Sequence, residues 1–390
     1  MSVLSLLALF TVVVGLHEMG HFLTARRLRV AVKAFSLGIG PVIARRRGPR
    51  GVEWRLSLIP LGGYVMFSDD APPGEFTLAD APPWRKALII AAGPVVNLVL
   101  AILLLAALLM HDGKPSDPPV VERPLAAWTS DLRAGDVVLG EAPVSPGRAA
   151  WTVRRNGSET VAEAPSSEAP VVTGVMPSMH AWSAGVRPGD LIVAIDGRPV
   201  LTAAEVSGAV SSKVSGAVSL DVLRDGSPLR FDVKVRRVPS PEGGRRGMIG
   251  VTQGGAPFVP ATVPVGPAEA GAAALRWAGV GVTATASSLR RLVTGETCGM
   301  GGPLTIYRGT ASASEMGASD MLRWSAMISL MIGLMNLLPV PGLDGGHLVA
   351  SLSRMAGIRV SPRVVTALEA AGLALIGTLL ALGLLSDLVC

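Results

Sequence analysis

The chain has 390 residues, of which 49% are hydrophobic, with a formal net charge of +6 and two cysteines. Its mean hydropathy of +0.48 excludes an ordinary soluble protein, and the apolar residues are gathered into long runs, so we expect a membrane protein with a polar middle. The positive charge does not indicate nucleic acid, because the basic residues cluster in one short loop where membrane topology explains them. With only Cys298 and Cys390, a disulfide framework or a cysteine-based zinc site is not expected.

The first apolar run, from about Ser2 to Ala25, predicts a membrane span. It has no basic start and carries ionisable residues at its far end, so we interpret it as a retained span and not as a signal peptide. A loop rich in arginine follows it. Short loops of this kind stay in the cytoplasm, so the N-terminus is expected outside.

The sequence His17-Glu18-Met19-Gly20-His21 lies near the end of this span. On a helix the two histidines share one face and can hold one metal ion, while Glu18 stands beside them to polarise a metal-bound water. This arrangement is typical of metal-assisted peptide hydrolysis. Sixteen residues at about 1.5 Å each put His17 roughly 24 Å along a helix that crosses a core about 30 Å thick. The predicted metal site is therefore inside the membrane, towards the cytoplasm.

The basic loop contains two short apolar runs around a Pro/Gly sequence at residues 54–67, which predicts a β-hairpin with its turn at residues 60–63. Its apolarity suggests that it dips back towards the membrane. An amphipathic hairpin on the membrane surface is an equally good interpretation at this stage.

A second span is predicted from Ala87 to Met110, and it contains Gly93, Pro94 and Asn97. An asparagine in a span more often makes a helix–helix hydrogen bond than a catalytic contact, and we favour that interpretation for Asn97.

The region from His111 to about Asp320 is expected outside the membrane. Residues 181–197 combine a helical turn, a Gly-Asp turn, a buried strand and an Asp-Gly turn, a pattern that resembles a PDZ domain. A weaker copy at residues 132–139, with a hairpin at 151–157, predicts a first, abbreviated PDZ module. Peptide binding and a size-limiting cap over the membrane domain are equally compatible with this pair.

Two further segments precede the third span. Residues 268–294 predict an amphipathic helix at the outer membrane surface. A loop with Gly301, Gly302 and Pro303 follows, and composition alone does not reveal its role.

A third span, about Leu322 to Leu338, leads into a segment broken by prolines and glycines that contains Asn336 and Asp344. Because this span enters from outside, it delivers Asp344 to the same depth as His17 and His21. Asp344 is therefore the expected third metal ligand, although Asp344-Gly345 alone would be interpreted as a turn. A fourth span, about Thr366 to Leu385, returns outward and leaves both termini outside.

Three sequences together resemble the site-2 intramembrane metalloproteases of the bacterial RseP type: the HExxH of residues 17–21, Pro-Leu-Gly-Gly-Tyr-Val at 60–65, and N-x-x-P-x-x-x-L-D-G from Asn336. The resemblance covers nearly the whole chain. It implies a zinc enzyme of the bacterial inner membrane that cuts single-span proteins after another protease has removed most of their outer domain, such as an anti-sigma factor or a signal-peptide remnant.

Carried over by position, the resemblance implies one zinc ion per chain, held by His17, His21 and Asp344, with Glu18 as the catalytic acid/base. Asn336 would help to hold substrate, and the hairpin residues would pair with an unwound substrate strand: Leu61, Gly62, Gly63, Tyr64 and Val65. The residues Gly301, Gly302 and Pro303 match a segment near the active-site entrance. The first PDZ module departs from the family pattern because it lacks an Ile-x-x-Ile-Asp-Gly strand end.

The expected fold is thus a polytopic α-helical membrane protein with four transmembrane helices, a re-entrant β-hairpin and two α/β PDZ-like domains in the outer loop. The expected segments are a first membrane part (1–113), an abbreviated PDZ-like domain (114–166), a PDZ domain (167–262), a surface helix with entrance loop (263–320) and a second membrane part (321–390). Expected partners are a single-span substrate, membrane lipid and a peptide or chain terminus at the PDZ domains, but no nucleic acid. The main alternative is a non-catalytic PDZ receptor or membrane chaperone; a transporter is disfavoured because the four spans show no internal repeat.

Overall fold

The computed structural model describes residues 2–48, 51–125, 129–176, 179–213, 215–239, 245–293, 302–358 and 361–389. Its helices are α1 (Ser2–Arg27), α2 (Pro83–Asp112), α3 (His180–Ala184), α4 (Ala203–Ser212), α5 (Pro267–Val293), α6 (Pro303–Met316), α7 (Ala318–Asn336), α8 (Asp344–Met355) and α9 (Pro362–Val389).

The strands are β1 (Val32–Arg47), β2 (Glu53–Phe67), β3 (Lys114–Pro115), β4 (Val121–Pro124), β5 (Val137–Ser145), β6 (Arg148–Arg155), β7 (Ser158–Pro165), β8 (Val172–Val175), β9 (Leu191–Ile195), β10 (Arg198–Pro199), β11 (Ala217–Arg224), β12 (Ser227–Lys234), β13 (Arg236–Pro239), β14 (Arg245–Met248), β15 (Val251–Gln253), β16 (Phe258–Pro260) and β17 (Thr262–Val263).

The chain forms two compact units. The first consists of Met1–Leu109, Gly266–Gly295 and Ala313–Leu384, and the second of Met110–Val265, Glu296–Ser312 and Leu385–Cys390.

Within the described part of the chain, three helical segments are long and apolar enough to cross a membrane: Val3–Arg27, Pro83–Asp112 and Arg363–Asp387. They correspond to the first, second and fourth predicted spans. Helix α7 covers the third, but it is not among them, because its first half contains the charged residues Asp320 and Arg323. The protein is therefore a helical membrane protein, and the fourth crossing stays a prediction.

Helix α5 packs on two other helices of the first unit. Ala274 is buried in a cluster with Leu105 of α2 and Ala326 of α7. Elsewhere α5 exposes large apolar side chains, among them Leu275, Trp277, Val280 and Val282. The predicted amphipathic helix at the outer membrane surface stays a prediction.

The expected β-hairpin is present, but its strands and turn differ from the prediction. Residues 54–67 form most of the single strand β2, and the strand that pairs with it antiparallel is β1. The first strand therefore ends at Arg47 and the second begins at Glu53, and the predicted turn at 60–63 lies inside β2. Residues 34–37 of β1 pair with residues 53–56 of β2 on one side and with residues 63–66 of β2 on the other. Both long strands are therefore strongly bent. Local turn signals could not reveal a partner strand whose second half is rich in arginine.

The β1–β2 sheet is fixed to α1. The Thr11 hydroxyl of α1 donates to the Pro60 carbonyl of β2 at 2.5 Å. One turn further along α1, a Cβ on Gly62 would lie 3.1 Å from Val14. The segment of β2 from residue 60 onwards thus follows α1 towards the histidines.

The second unit contains two β modules, each with its own core. The first is built on the sheet β5-β6-β7, whose core includes Trp151 and Val153, and the second on the sheet β10-β9-β11-β12, whose core includes Ile192 and Leu220. Helices α3 and α4 belong to the second module, and Val206 and Val210 of α4 are buried in its core.

The two modules share one local motif. In the first, the Asp136 carboxylate accepts hydrogen bonds from the Arg133 backbone N–H and from two nitrogens of Arg155. In the second, the Asp190 carboxylate accepts from the Arg187 N–H and from two nitrogens of Arg224. Each arginine directly precedes a tight hairpin turn with two left-handed residues, 156–157 and 225–226. The repetition predicted from the Gly-Asp turns is thus a repetition of structure.

Strand pairing shows that the first module surrounds the second in sequence. Strand β15 pairs with β8 of the second module, whereas β16 pairs with β4 and β17 with β3. Residues 258–263 thus close the first module, whereas the prediction assigns residues 258–262 to the second module and residue 263 to the segment after it. A linear repeat search misses this arrangement because it assumes that each module is continuous.

Candidate metal centre and active site

Two histidines of α1 and an aspartate more than 300 residues further along the chain converge in the first unit. His17 and His21 lie one turn apart on α1, and their Nε2 atoms are 3.2 Å apart. Asp344 Oδ2 lies 3.0 Å from His17 Nε2 and 3.5 Å from His21 Nε2. Among the described residues, these three form the cluster of side chains that could hold a metal ion.

The spacing of the three donor atoms matches a tetrahedral zinc site. With Zn–N and Zn–O bonds of about 2.0–2.1 Å, two ligands of a tetrahedral ion stand about 3.3–3.4 Å apart. The observed separations of 3.0, 3.2 and 3.5 Å bracket this value. Two imidazoles and one carboxylate also form a common donor set for catalytic zinc, which leaves a fourth position for water or substrate. The residues present therefore fit the metal that the sequence predicts.

Asp344 reaches the histidines because of the irregular segment between α7 and α8. It is the first residue of α8, after a connection that contains Pro339 and Pro341. This connection folds tightly against the start of α8, so that a Cβ on Gly345 would lie 2.5 Å from the Leu337 carbonyl oxygen. Glycine at 345 therefore permits the close approach that brings Asp344 to the site.

Helix α2 packs directly against the two histidines. His21 Nδ1 lies 2.8 Å from the Ile89 carbonyl oxygen, and His17 Nδ1 lies 3.3 Å from the Asn97 amide. Between these contacts, a Cβ on Gly93 would lie 2.8 Å from His17 Nε2 and still closer to His21. Residues 89, 93 and 97 are four apart and share one helix face. Helix α2 thus contacts both predicted ligand histidines, through Nδ1 of each ring and through Gly93 next to the Nε2 atoms.

Glu18 faces the β1–β2 sheet. Its carboxylate contacts the backbone N–H of Val65, and a Cβ on Gly63 would lie 3.5 Å from Glu18 Cγ. Residues 63–67 pair with β1 on one side. The predicted acid/base therefore stands beside the strand that was predicted to hold substrate.

The other predicted site residues are placed as follows. Asn336 is the last residue of α7 and is partly buried. Leu61 is 44% exposed, and the Tyr64 hydroxyl accepts from Arg55 at 3.3 Å. His347, three residues after Asp344, lies 4.0 Å from Glu369.

The predicted entrance segment belongs to the second unit. Gly301 lies outside the described residues, and Pro303 begins α6. The backbone N–H groups of Gly302, Leu304 and Thr305 donate to the carboxylate of Asp387, which is 6% exposed. Asp387 therefore caps the N-terminus of α6, a role that its sequence context did not suggest.

Sequence reasoning missed the contribution of α2 to the site. For Asn97 the sequence favours a helix–helix hydrogen bond over a catalytic contact, and it does not name the partner helix. That contact is indeed between helices, since it joins α2 to α1. The signal that could have identified it is the i, i+4 spacing of a glycine and an asparagine in an otherwise apolar span.

Two histidines and an aspartate that could hold a metal ion, with a glutamate beside the histidines on a helix long and apolar enough to cross a membrane, are the arrangement expected of a membrane metallopeptidase. The chain belongs to peptidase family M50, because the sequence model of that family matches residues 5–379.

Relatives with similar sequences cover most of the chain. It is 30% identical over 442 residues to the regulator of sigma-E protease RseP of Escherichia coli, a match that covers 96% of both chains. It is 31% identical over 361 residues to a protein of Agrobacterium fabrum that bears the provisional name of a zinc metalloprotease, covering 87% of this chain and 82% of the relative. The chain is thus an intramembrane metalloprotease of the site-2 class.

Part of the chain is also similar to solved PDZ domains of SdrC-like proteins. The domain from Listeria monocytogenes is 24% identical with a TM-score of 0.20, covering 22% of this chain and 87% of that domain. The domain from Listeria innocua is 23% identical with a TM-score of 0.19, covering 22% of this chain and 93% of that domain.

Proposed function

We propose that the protein hydrolyses a peptide bond within or near the transmembrane segment of single-span membrane proteins, with one zinc ion held by His17, His21 and Asp344. The observation that carries this proposal is the tetrahedral spacing of 3.0–3.5 Å among the three donor atoms. The names of its relatives support zinc as the metal.

The chemistry follows from the side chains around this centre. Zinc bound there supplies Lewis acidity towards water and the scissile carbonyl. Glu18 removes the proton of the attacking water and passes it to the leaving amine, which general acid/base catalysis requires. Asn336 donates a hydrogen bond to the substrate backbone or to the oxygen on which charge develops.

The substrate is held as a strand. A peptide bond inside a helix is shielded, so the helix must unwind before attack, and its exposed amides then need partners within the bilayer. Residues 61–65 of β2 supply these partners by strand addition. The contact between Glu18 and the Val65 N–H supports this role, because a strand docked there lies beside the acid/base.

The second unit lies on the outer face of the inner membrane as two PDZ-like modules, with the basic loop on the cytoplasmic face and both termini outside. The repeated Asp–Arg motif and the pairing of β16 with β4 support a nested pair. Substrates reach the membrane part after another protease has shortened their outer domain.

Replacing Glu18 tests the proposal. We expect Glu18→Gln to lower the rate of cleavage of a truncated single-span substrate in membranes by about 10²–10⁴-fold, because the acid/base is lost. Its zinc content should equal that of the wild type, since Glu18 is not a ligand. Glu122→Gln, at an exposed position of the second unit, is the matched control and should cleave normally.

Two outcomes would overturn the proposal. Equal substrate loss with the wild type and Glu18→Gln would show that Glu18 has no part in the chemistry. Absence of zinc from purified wild-type protein, with no uptake on titration, would exclude the metal mechanism. The same assay with a substrate that keeps its whole outer domain tests the order of cuts, and we expect it to be cleaved more slowly.

A further inference from the structure

Asn97 is the polar residue of α2 that lies closest to the predicted metal ligands. Its side chain is fully buried, in a helix that is otherwise apolar from residue 87 to residue 110. The amide nitrogen lies 3.3 Å from His17 Nδ1, and the amide oxygen has no hydrogen-bond partner. A buried amide oxygen without a partner costs about 1–3 kcal/mol, so this arrangement requires an explanation.

The orientation of the His17 ring indicates which nitrogen carries the proton. Its Nε2 faces Asp344 Oδ2 at 3.0 Å and His21 Nε2 at 3.2 Å, and is therefore the nitrogen directed at the metal position. A neutral imidazole that binds metal through Nε2 keeps its proton on Nδ1, and this N–H needs an acceptor. An amide NH₂ group cannot accept, whereas an amide oxygen can.

Rotation of the Asn97 amide by half a turn satisfies both groups. The oxygen and nitrogen of an asparagine have nearly the same shape, so their assignment depends on the hydrogen-bond network. With the oxygen towards His17, the Nδ1–H acquires an acceptor and the orphaned oxygen acquires a donor. His21 already has the equivalent contact, since its Nδ1 lies 2.8 Å from the Ile89 carbonyl oxygen.

We propose that Asn97 is a positioning residue of the metal centre, and that its amide oxygen accepts the Nδ1–H of His17 and holds the ring with Nε2 towards zinc. This inference rests on the proposed role of His17 as a ligand. Asn97 is itself held in place, because the Ser329 hydroxyl of α7 donates to its backbone carbonyl at 2.9 Å. Helix α2 thereby orients both histidines, His21 through a backbone carbonyl and His17 through a side chain.

Metal affinity of the full-length protein in detergent tests this role. We compare the wild type with Asn97→Leu, which keeps the approximate volume but removes the acceptor, and with Asn97→Asp, which keeps an acceptor oxygen. Zinc affinity should fall about 10–100-fold in the leucine variant, as is usual for loss of a partner of a metal-bound histidine. The aspartate variant should recover most of this affinity. Glu122→Gln, at an exposed position of the second unit, is the control and should bind zinc as the wild type does.

Cobalt substitution gives a second measurement that a packing role would not affect. In cobalt-loaded protein the imidazole N–H protons next to the metal are shifted by the paramagnetic ion. The His17 Nδ1–H signal should exchange slowly in the wild type and Asn97→Asp, and should be lost to exchange in Asn97→Leu. A change in thermal stability alone, with unchanged zinc affinity and cobalt spectrum in Asn97→Leu, would overturn the inference and leave the proposed function intact. Failure of the wild type to bind either metal would instead overturn the proposed function.

Discussion

Gly93 is the residue of α2 that lies directly against both histidines. Any side chain there must move them, because a Cβ would lie 2.8 Å from His17 Nε2 and 2.6 Å from His21 Cε1. We therefore predict that Gly93→Ala lowers zinc affinity by at least about tenfold, measured by competition with a chelator in detergent.

The matched control for this change is Gly279→Ala in α5. A Cβ on Gly279 would meet nothing within 4 Å, and alanine favours a helix by about 0.5–1 kcal/mol over glycine. This variant should bind zinc normally and be as stable as the wild type or slightly more so. Wild-type zinc affinity in Gly93→Ala would show that the histidines have room to shift and that the close approach is not required.

The repeated Gly-Asp turn of the second unit should make its stability depend on pH. Burial alone would raise the pKa of the Asp136 carboxyl, but hydrogen bonds from Arg155 and from the Arg133 backbone outweigh burial and hold this pKa below its ordinary value. A carboxyl whose folded pKa is lowered stabilises the fold above the unfolded value of about 3.9, and this stabilisation is lost as the pH falls through the folded value.

Asp136→Asn should therefore destabilise the first module by about 1–3 kcal/mol at pH 7. The difference from the wild type should shrink below about pH 4, because the wild type then loses the same charge. Hydrogen exchange of residues 131–165 in the full-length protein, corrected for intrinsic rates, measures both effects. Glu159→Gln, at an exposed ion pair with Arg154, is the control and should change little. If Asp136→Asn is less stable than the wild type by the same amount at pH 7 and pH 3, its effect comes from packing and not from charge.

Local sequence patterns predict features that depend on a helical period or on the length of a span. They do not predict features that depend on contact with a distant segment. His17 and His21 are related by the helical period, and Asp344 is related to them by the depth that apolar runs of known length impose. Both relations can be derived without knowing a tertiary contact. The partners of β2 and β16, and the contact of Asn97 with His17, depend on which distant segment arrives beside them. No local period contains that information, so these features became visible only in the structure.

At the scale of the whole molecule, the number of membrane crossings depends on whether α7 spans the bilayer. Helix α7 has 19 residues and a length of about 29 Å at 1.5 Å per residue, close to the roughly 30 Å of a bilayer core. Arg354 lies in the last turn of α8 and Arg363 in the first turn of α9, and both favour the cytoplasmic face for the segment between these helices. The convergence of Asp344 with His17 and His21 also requires α7 to bring the chain to their depth. We therefore predict that α7 crosses.

Single cysteines at exposed positions test this crossing in a background of Cys298→Ser and Cys390→Ser. The variants are Asp70→Cys before α2, Ser227→Cys in the second module and Ala356→Cys after α8. A membrane-impermeant thiol reagent applied outside should label the cysteine at 227, but should label those at 70 and 356 only after the membrane is permeabilised. If α7 does not cross, position 356 stays on the same side as position 227 and is labelled from outside. That result would mean that Asp344 does not lie at the same membrane depth as His17 and His21. The three residues could then not form one metal site.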